Sequence, residues 1–229
     1  MSPDEARRHD PAGRLVLELA AALHRAGTPA HRLEGLCDAV SQQVGVEVRI
    51  FSVPTALFAA VGPTGHTELL RVAPGAPDLG RQADLDAIAE ALLTGEIGVA
   101  EARTELSALD QTPPRWGAFA TLIGFTLTGT TAAVVLGGGP PESAVSTVAG
   151  FVVGALALFV GPRPALGNLF EPIATFVAMA LAVVVHHLLW PVDVVVVTLA
   201  AVIVLIPGLP LTTSIVELAT RNLVSGTAR

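Results

Sequence analysis

From residue 116 to 136 the chain runs for 21 residues without a charged side chain, and three further apolar segments follow at 143–160, 170–190 and 192–206. About 20 residues of helix rise roughly 30 Å, the thickness of a bilayer's hydrocarbon core. Inside hydrocarbon the backbone N–H and C=O groups must bond within their own segment, so such runs are confined to the helical state. Four spans are therefore predicted, separated by GGGPPE at 137–142, GPRP at 161–164 and WPVD at 190–193. The last of these is so short that the third and fourth spans form a tight hairpin.

The charges divide the chain. Beyond Arg115 the only acids are Glu142, Glu171, Asp193 and Glu217, and the only arginines, in a segment without lysine, Arg163, Arg221 and Arg229. The first half carries the rest of a net charge of −7, and that acidic balance disfavours a nucleic-acid partner, which needs a basic face. A 52% hydrophobic composition and a mean hydropathy of +0.63 fit a chain with two solvents. The opening MSPDEARRHDPAGR has no apolar core after its charges, so no secretory signal is expected and the first half should stay in the cytoplasm. If it does, Arg115, Arg163 and Arg221 all fall on the cytoplasmic side, as arginines flanking spans tend to.

Within the first half, Leu15, Leu19 and Leu23 recur at helical spacing up to Gly27, and Leu33, Leu36, Cys37, Val40 and Val44 do so after a Thr28-Pro29 cap. VEVRIFSV at 46–53, TALFAAV at 55–61 and TELLRVA at 67–73 alternate as strands, divided by Pro54 and the GPTG turn at 62–65. Two helical patterns follow at 79–93 and 99–109. The expected fold class is a membrane protein: a cytoplasmic α+β domain at 1–115, ordered α-α-β-β-β-α-α, then an α-helical transmembrane bundle of about four spans at 116–229, ending in a polar broken segment at 207–229. Cys37 stands alone, so neither a disulfide framework nor a CxxC metal spacing exists, and it is expected to be a small core residue.

Gly150 and Gly154 form a GxxxG in the second span, and Thr121, Thr126, Thr128, Thr130 and Thr131 crowd the first. Small and hydroxyl residues let membrane helices approach closely, so packing is the expected role. Pro207-Gly208-Leu209-Pro210 breaks the fourth span. Either it ends the span at the interface, or it frees backbone groups to bind a solute as broken transporter helices do. In the second case Thr212, Thr213 and Ser214 would cap a new helix, with Glu217 one turn on. His186, His187 and Asp193 sit at the end of the third span, where a titratable group could relay protons or simply lie at the interface.

Catalytic signatures are absent: no GxSxG, HExxH, P-loop or dinucleotide fingerprint occurs, and no cofactor or metal is expected. His24, His31, Glu34 and Asp38 lie on adjoining helices, and His31 with Glu34 is spaced to share a metal, though helix-surface charges at that spacing are commoner.

LELAAALHRAGTPAHRLEGL at 17–36, VPTALF at 53–58, TELLRV at 67–72 and above all PGLPLTTSIVELATRNLVSGTAR at 207–229 resemble the threonine/serine exporter family. The resemblance spans nearly the whole chain. It implies proton-driven export of threonine, serine or similar small amino acids, or of a small dicarboxylate, from a bacterial inner membrane. In the family's pattern after the fourth span, Pro207, Gly208, Thr212, Glu217, Ser225, Gly226 and Arg229 match position by position. Glu217 and the backbone at Gly208 would then meet the ammonium group of the substrate, and Thr212 and Ser225 its hydroxyl or carboxylate. Family members continue beyond that arginine with a fifth apolar span. The chain is therefore expected to be an incomplete part of a larger carrier, either as a C-terminally truncated fragment or completed by a homo-oligomer or a partner membrane subunit supplying further helices in the lipid bilayer. Two rivals stand next to the exporter: a membrane-anchored hydrolase working through the cytoplasmic domain, and a non-transporting regulatory subunit.

Overall fold

The computed structural model describes residues 10–62, 66–73, 75, 77–113, 115–161, 163 and 166–228. They divide into two compact units, one of residues up to 113 together with those from 208 onward, the other of 114–207.

The first, an α+β unit, begins with α1 (Pro11–Arg25) and α2 (Ala30–Gln43). Asp10 caps α1 by accepting the Ala12 N–H at 3.0 Å, and Pro11 occupies the first helical position. Gly27 and Gly45 end the two helices in the left-handed region, with φ of 74° and 72°. The cap position of α2 is Pro29 rather than Thr28, and it offers no side-chain acceptor. Strands β1 (Val48–Val53), β2 (Ala56–Val61) and β3 (His66–Arg71) form an antiparallel meander in that order. The GPTG turn at 62–65 lies mostly outside the described residues. Helices α3 (Leu79–Thr94) and α4 (Val99–Gln111) complete the run. One face of the sheet closes on the helices: Val48, Ile50, Leu57 and Ala59 join Leu15, Leu19, Leu33, Val40, Leu85 and Ala102 in one core. Cys37 is fully buried in it, and burial, reinforced by Asp38 and Glu34, pushes its thiol up to about 12.

The helical unit contains α5 (Ala118–Val135), α6 (Pro140–Val160), α7 (Gly167–Leu188) and α8 (Val194–Val202), the last continued by a 3₁₀ turn at Ile203–Leu205. Three stretches, Ala118–Val135, Pro140–Val160 and Leu169–Leu188, are long and apolar enough to cross a membrane. The second of these starts earlier than the 143–160 expected because Glu142 caps its own helix through the Gly139 N–H at 2.9 Å and Pro140 opens it. For the fourth span, expected at 192–206, α8 with its 3₁₀ turn is too short alone and meets the length test only when counted with the helix beyond Pro207.

Residues 207–229 also depart from a polar broken segment. Gly208–Ala219 is a helix, α9, and Leu223–Ala228 another, α10, and both belong to the α+β unit. Thr212, Thr213 and Ser214 are inside α9 and do not cap it. The Thr212 and Ser214 hydroxyls donate back to the Gly208 and Pro210 carbonyls, each at 2.9 Å. Pro210 is compatible with a helix because it falls in the first turn, where no intrahelical N–H is needed. Arg221 ends α9 at φ 66°: its N–H bonds the Leu218 carbonyl at 3.1 Å and the Asn222 N–H bonds the Glu217 carbonyl at 2.8 Å, a Schellman closure.

Small residues set the helix spacing in the second unit. A Cβ added to Gly150 would lie 2.6 Å from the Phe125 carbonyl oxygen, and one added to Gly129 would lie 2.7 Å from that of Ser146. So α5 and α6 touch backbone to backbone, and the Thr130 and Thr147 hydroxyls meet across them at 2.7 Å. Ala174, Ala178 and Ala182 of α7 and Ala200 and Ala201 of α8 are likewise buried.

Candidate functional site

Two polar clusters stand out, one in each unit. In the α+β unit the centre is Ser52, an inward position of β1 where Val48 and Ile50 set an apolar alternation. All three of its polar groups are engaged. The Ser52 N–H donates to Glu34 Oε1 at 2.7 Å, its Oγ lies 3.2 Å from His24 Nδ1, and its carbonyl accepts from Ser225 Oγ at 3.3 Å. His24 Nε2 lies 3.1 Å from the Pro54 carbonyl. A carbonyl only accepts, so Nε2 carries a proton, and in the neutral ring Nδ1 then accepts from the Ser52 hydroxyl. Burial holds the Glu34 carboxyl above its usual range, opposed by the Ser52 N–H, with Asp38 raising it and His31 lowering it.

Glu217 enters the same unit from α9. Its side chain is fully buried, and Oε1 accepts the Ala30 N–H at 2.9 Å. Ala30 is the first residue of α2, whose cap residue Pro29 brings no acceptor of its own, so the carboxylate sits where the helix dipole favours an anion. Of the residues expected to contact substrate, the structure therefore brings Glu217 and Ser225 into the α+β unit. Thr212 is exposed on α9, Thr213 half-buried and Pro207 and Gly208 exposed before it. Gly226 lies against α9, where a Cβ would come 2.9 Å from Leu218 Cγ. Arg229 lies outside the described residues.

In the helical unit His186, His187 and Asp193 are found at one end. The two imidazoles stack edge to face with centroids 5.1 Å apart. His186 Nδ1 lies 2.8 Å from the Val192 carbonyl and so is the protonated nitrogen. Asp193 caps α8, accepting from the Val195 and Val196 N–H groups at 2.9 and 3.1 Å. A fourth participant is Glu142, the acid that closes the GGGPPE turn: its Oε1 accepts the Asp193 N–H at 3.1 Å while Oε2 holds the N-terminus of α6. Ser52 was the other omission, and its signal was present as a serine on the buried side of an alternating strand.

No group of three or more His, Cys, Asp or Glu side chains placed to hold a metal ion occurs among the described residues. His31 and Glu34 share no such cluster, and Glu34 is committed to the β1 backbone.

Known proteins resemble this chain over almost its whole length. The sequence model of the family described as "Putative threonine/serine exporter" matches residues 14–229. "Pheromone-regulated membrane protein 10" of Yarrowia lipolytica is 25% identical over 226 residues, covering 94% of this chain and 18% of that protein. "Uncharacterized protein C7D4.12c" of Schizosaccharomyces pombe is 26% identical over 227 residues, covering 93% of this chain and 29% of the other. The chain thus spans less than a third of the length of the curated relatives it matches. No solved structure matches it.

Proposed function

We propose, from the premise that this chain belongs to the threonine/serine exporter family, that it forms part of a membrane carrier exporting a small amino acid such as threonine or serine in exchange for protons. The observation that supports this best is the coincidence of a family match over residues 14–229 with helices of membrane-crossing length packed backbone to backbone. Anchoring a soluble enzyme needs one span, and a glycine-seamed bundle with buried hydroxyls exceeds that requirement.

On this reading the residues up to 115 face the cytoplasm and the helical unit crosses the plasma membrane, with the flanking arginines on the inner side. The segment from Pro207 to Arg229 contributes the substrate contacts, Glu217 serving the ammonium group and Thr212, Thr213 and Ser225 the hydroxyl or carboxylate. His186, His187 and Asp193 carry the proton coupling. Relatives several times longer than this chain accord with its being one part of a larger carrier.

The test is efflux of labelled threonine and serine from proteoliposomes of the full chain under an imposed pH gradient. Gradient-dependent efflux that Glu217→Gln slows is the expected outcome. Efflux equal to that of empty vesicles for both amino acids would remove the exporter reading. A hydrolytic rival rests on the His24–Ser52 contact, but both side chains are buried there.

A further inference from the structure

One face of the three-stranded sheet is covered by the core and the other is open. The open face is built by alternate residues of the strands, and its middle row is apolar: Phe51 pairs with Phe58, and Phe58 with Leu69, across the antiparallel register. These three are 54%, 39% and 63% exposed, and the two phenyl rings lie with centroids 6.5 Å apart. The rows on either side bring Ala60, Thr67, Val53 and Ala56, and only two charges, Arg49 and Arg71, both exposed. Neither arginine forms an ion pair among the described residues.

This charge pattern is the reverse of its surroundings. The chain is acidic overall, and the acids outnumber the arginines before residue 116, yet within the strands the open face carries Arg49 and Arg71 and no acid, Glu47 lying just before β1. A row of aromatic and aliphatic side chains with a basic fringe has the composition of surfaces that settle at the headgroup level, apolar rings entering the acyl boundary and guanidinium groups meeting phosphate. A bilayer is also the surface that the membrane-length helices of the same chain call for. A second feature of the same unit points the same way. Helix α9 turns Ser214 and Glu217 inward and leaves Leu211, Ile215 and Leu218 exposed, the arrangement of a helix with lipid on its outer side.

We propose that the face formed by Arg49, Phe51, Phe58, Leu69 and Arg71 is a docking surface for the anionic headgroup layer of a lipid bilayer. The apolar row supplies insertion and the two arginines supply selectivity for anionic over zwitterionic lipid. A protein partner is disfavoured because the strand positions of the face offer no acceptor side chain other than Thr67 to pair with a partner's donors.

The experiment places a nitroxide on the full-length chain at Leu69→Cys, with Ser107→Cys on α4 as the reference site; the buried, unreactive Cys37 thiol does not compete for label. Collision with oxygen and with a water-soluble nickel chelate is compared in phosphatidylcholine vesicles and in vesicles with one third phosphatidylglycerol. The expected result is an oxygen-to-nickel ratio at position 69 that rises roughly fivefold with the anionic lipid, falls back in Arg49→Glu/Arg71→Glu, and is unchanged at position 107. An unchanged ratio at position 69 overturns the proposal, as does dipolar broadening between labels on two copies, which would show a protein covering the face.

Discussion

The carboxylate of Glu217 caps a helix that begins 187 positions earlier, accepting the Ala30 N–H at 2.9 Å. Helix α2 starts after a proline and has no acceptor of its own, so its exposed first-turn donors are met from the other end of the chain. The contact makes the fold of the α+β unit depend on the segment that follows the membrane helices.

Glu217→Ala should therefore destabilise the unit by about 1–3 kcal/mol, since it leaves a buried N–H without its acceptor. Glu217→Gln keeps a carbonyl oxygen in place and should lose less. Thermal unfolding of the full chain in detergent, followed by circular dichroism, checks the order. Equal stability of the alanine variant and the parent would contradict it.

Gly150→Ala should loosen the α5–α6 pair, because the added methyl meets the Phe125 carbonyl oxygen, which belongs to backbone and cannot swing away. A loss of about 1–3 kcal/mol is expected. Gly124→Ala is the control: nothing lies within 4 Å of its Cβ, so it should be neutral. Disulfide trapping between Thr130→Cys and Thr147→Cys reads the seam directly, and its yield should fall only in the Gly150 variant.

Arg221→Gly should raise stability by about 1 kcal/mol, since a left-handed residue without Cβ is unstrained and the Schellman bonds are kept. Arg221→Val should lower it. A midpoint shift of the same sign for both would show that the turn is not what limits α9.

Cys37 gives a pH prediction with a definite sign. The buried thiol is raised from an ordinary value of 9.0 to about 12, so the native state holds its proton where the unfolded chain releases it. The contribution is complete below about pH 9 and is lost as pH rises toward 12. Alkylation of the native chain near pH 8.5 should be at least about a hundredfold slower than of the denatured chain. Comparable rates would place Cys37 outside the core.

The parts of this fold visible in the sequence are those encoded over a few residues. Leucines at 15, 19 and 23, glycines at 27 and 45 and the alternation at 48–53 carry their meaning locally, and three of the apolar runs are membrane-length helices. What escaped was encoded over distance. Thr212 and Ser214 look like caps until their hydroxyls are seen to bond one turn back, and Pro210 looks like a break until it falls in a first turn. That Glu217 caps α2 is invisible in the sequence because its partner is a backbone group near the other terminus, and no periodicity reports a side chain that bonds to main chain. Glu142 escaped likewise, its partners being the N–H groups of Gly139 and Asp193.

The glycine seam has a mechanical consequence. With the Phe125 carbonyl against Gly150 and the Ser146 carbonyl against Gly129, α5 and α6 have no side-chain cushion to compress or slide upon, and they translate and rotate as a single lever. Relative movement within the bundle is then left to joints lined by movable side chains, where Leu181, Val185 and Val194 meet around Val197.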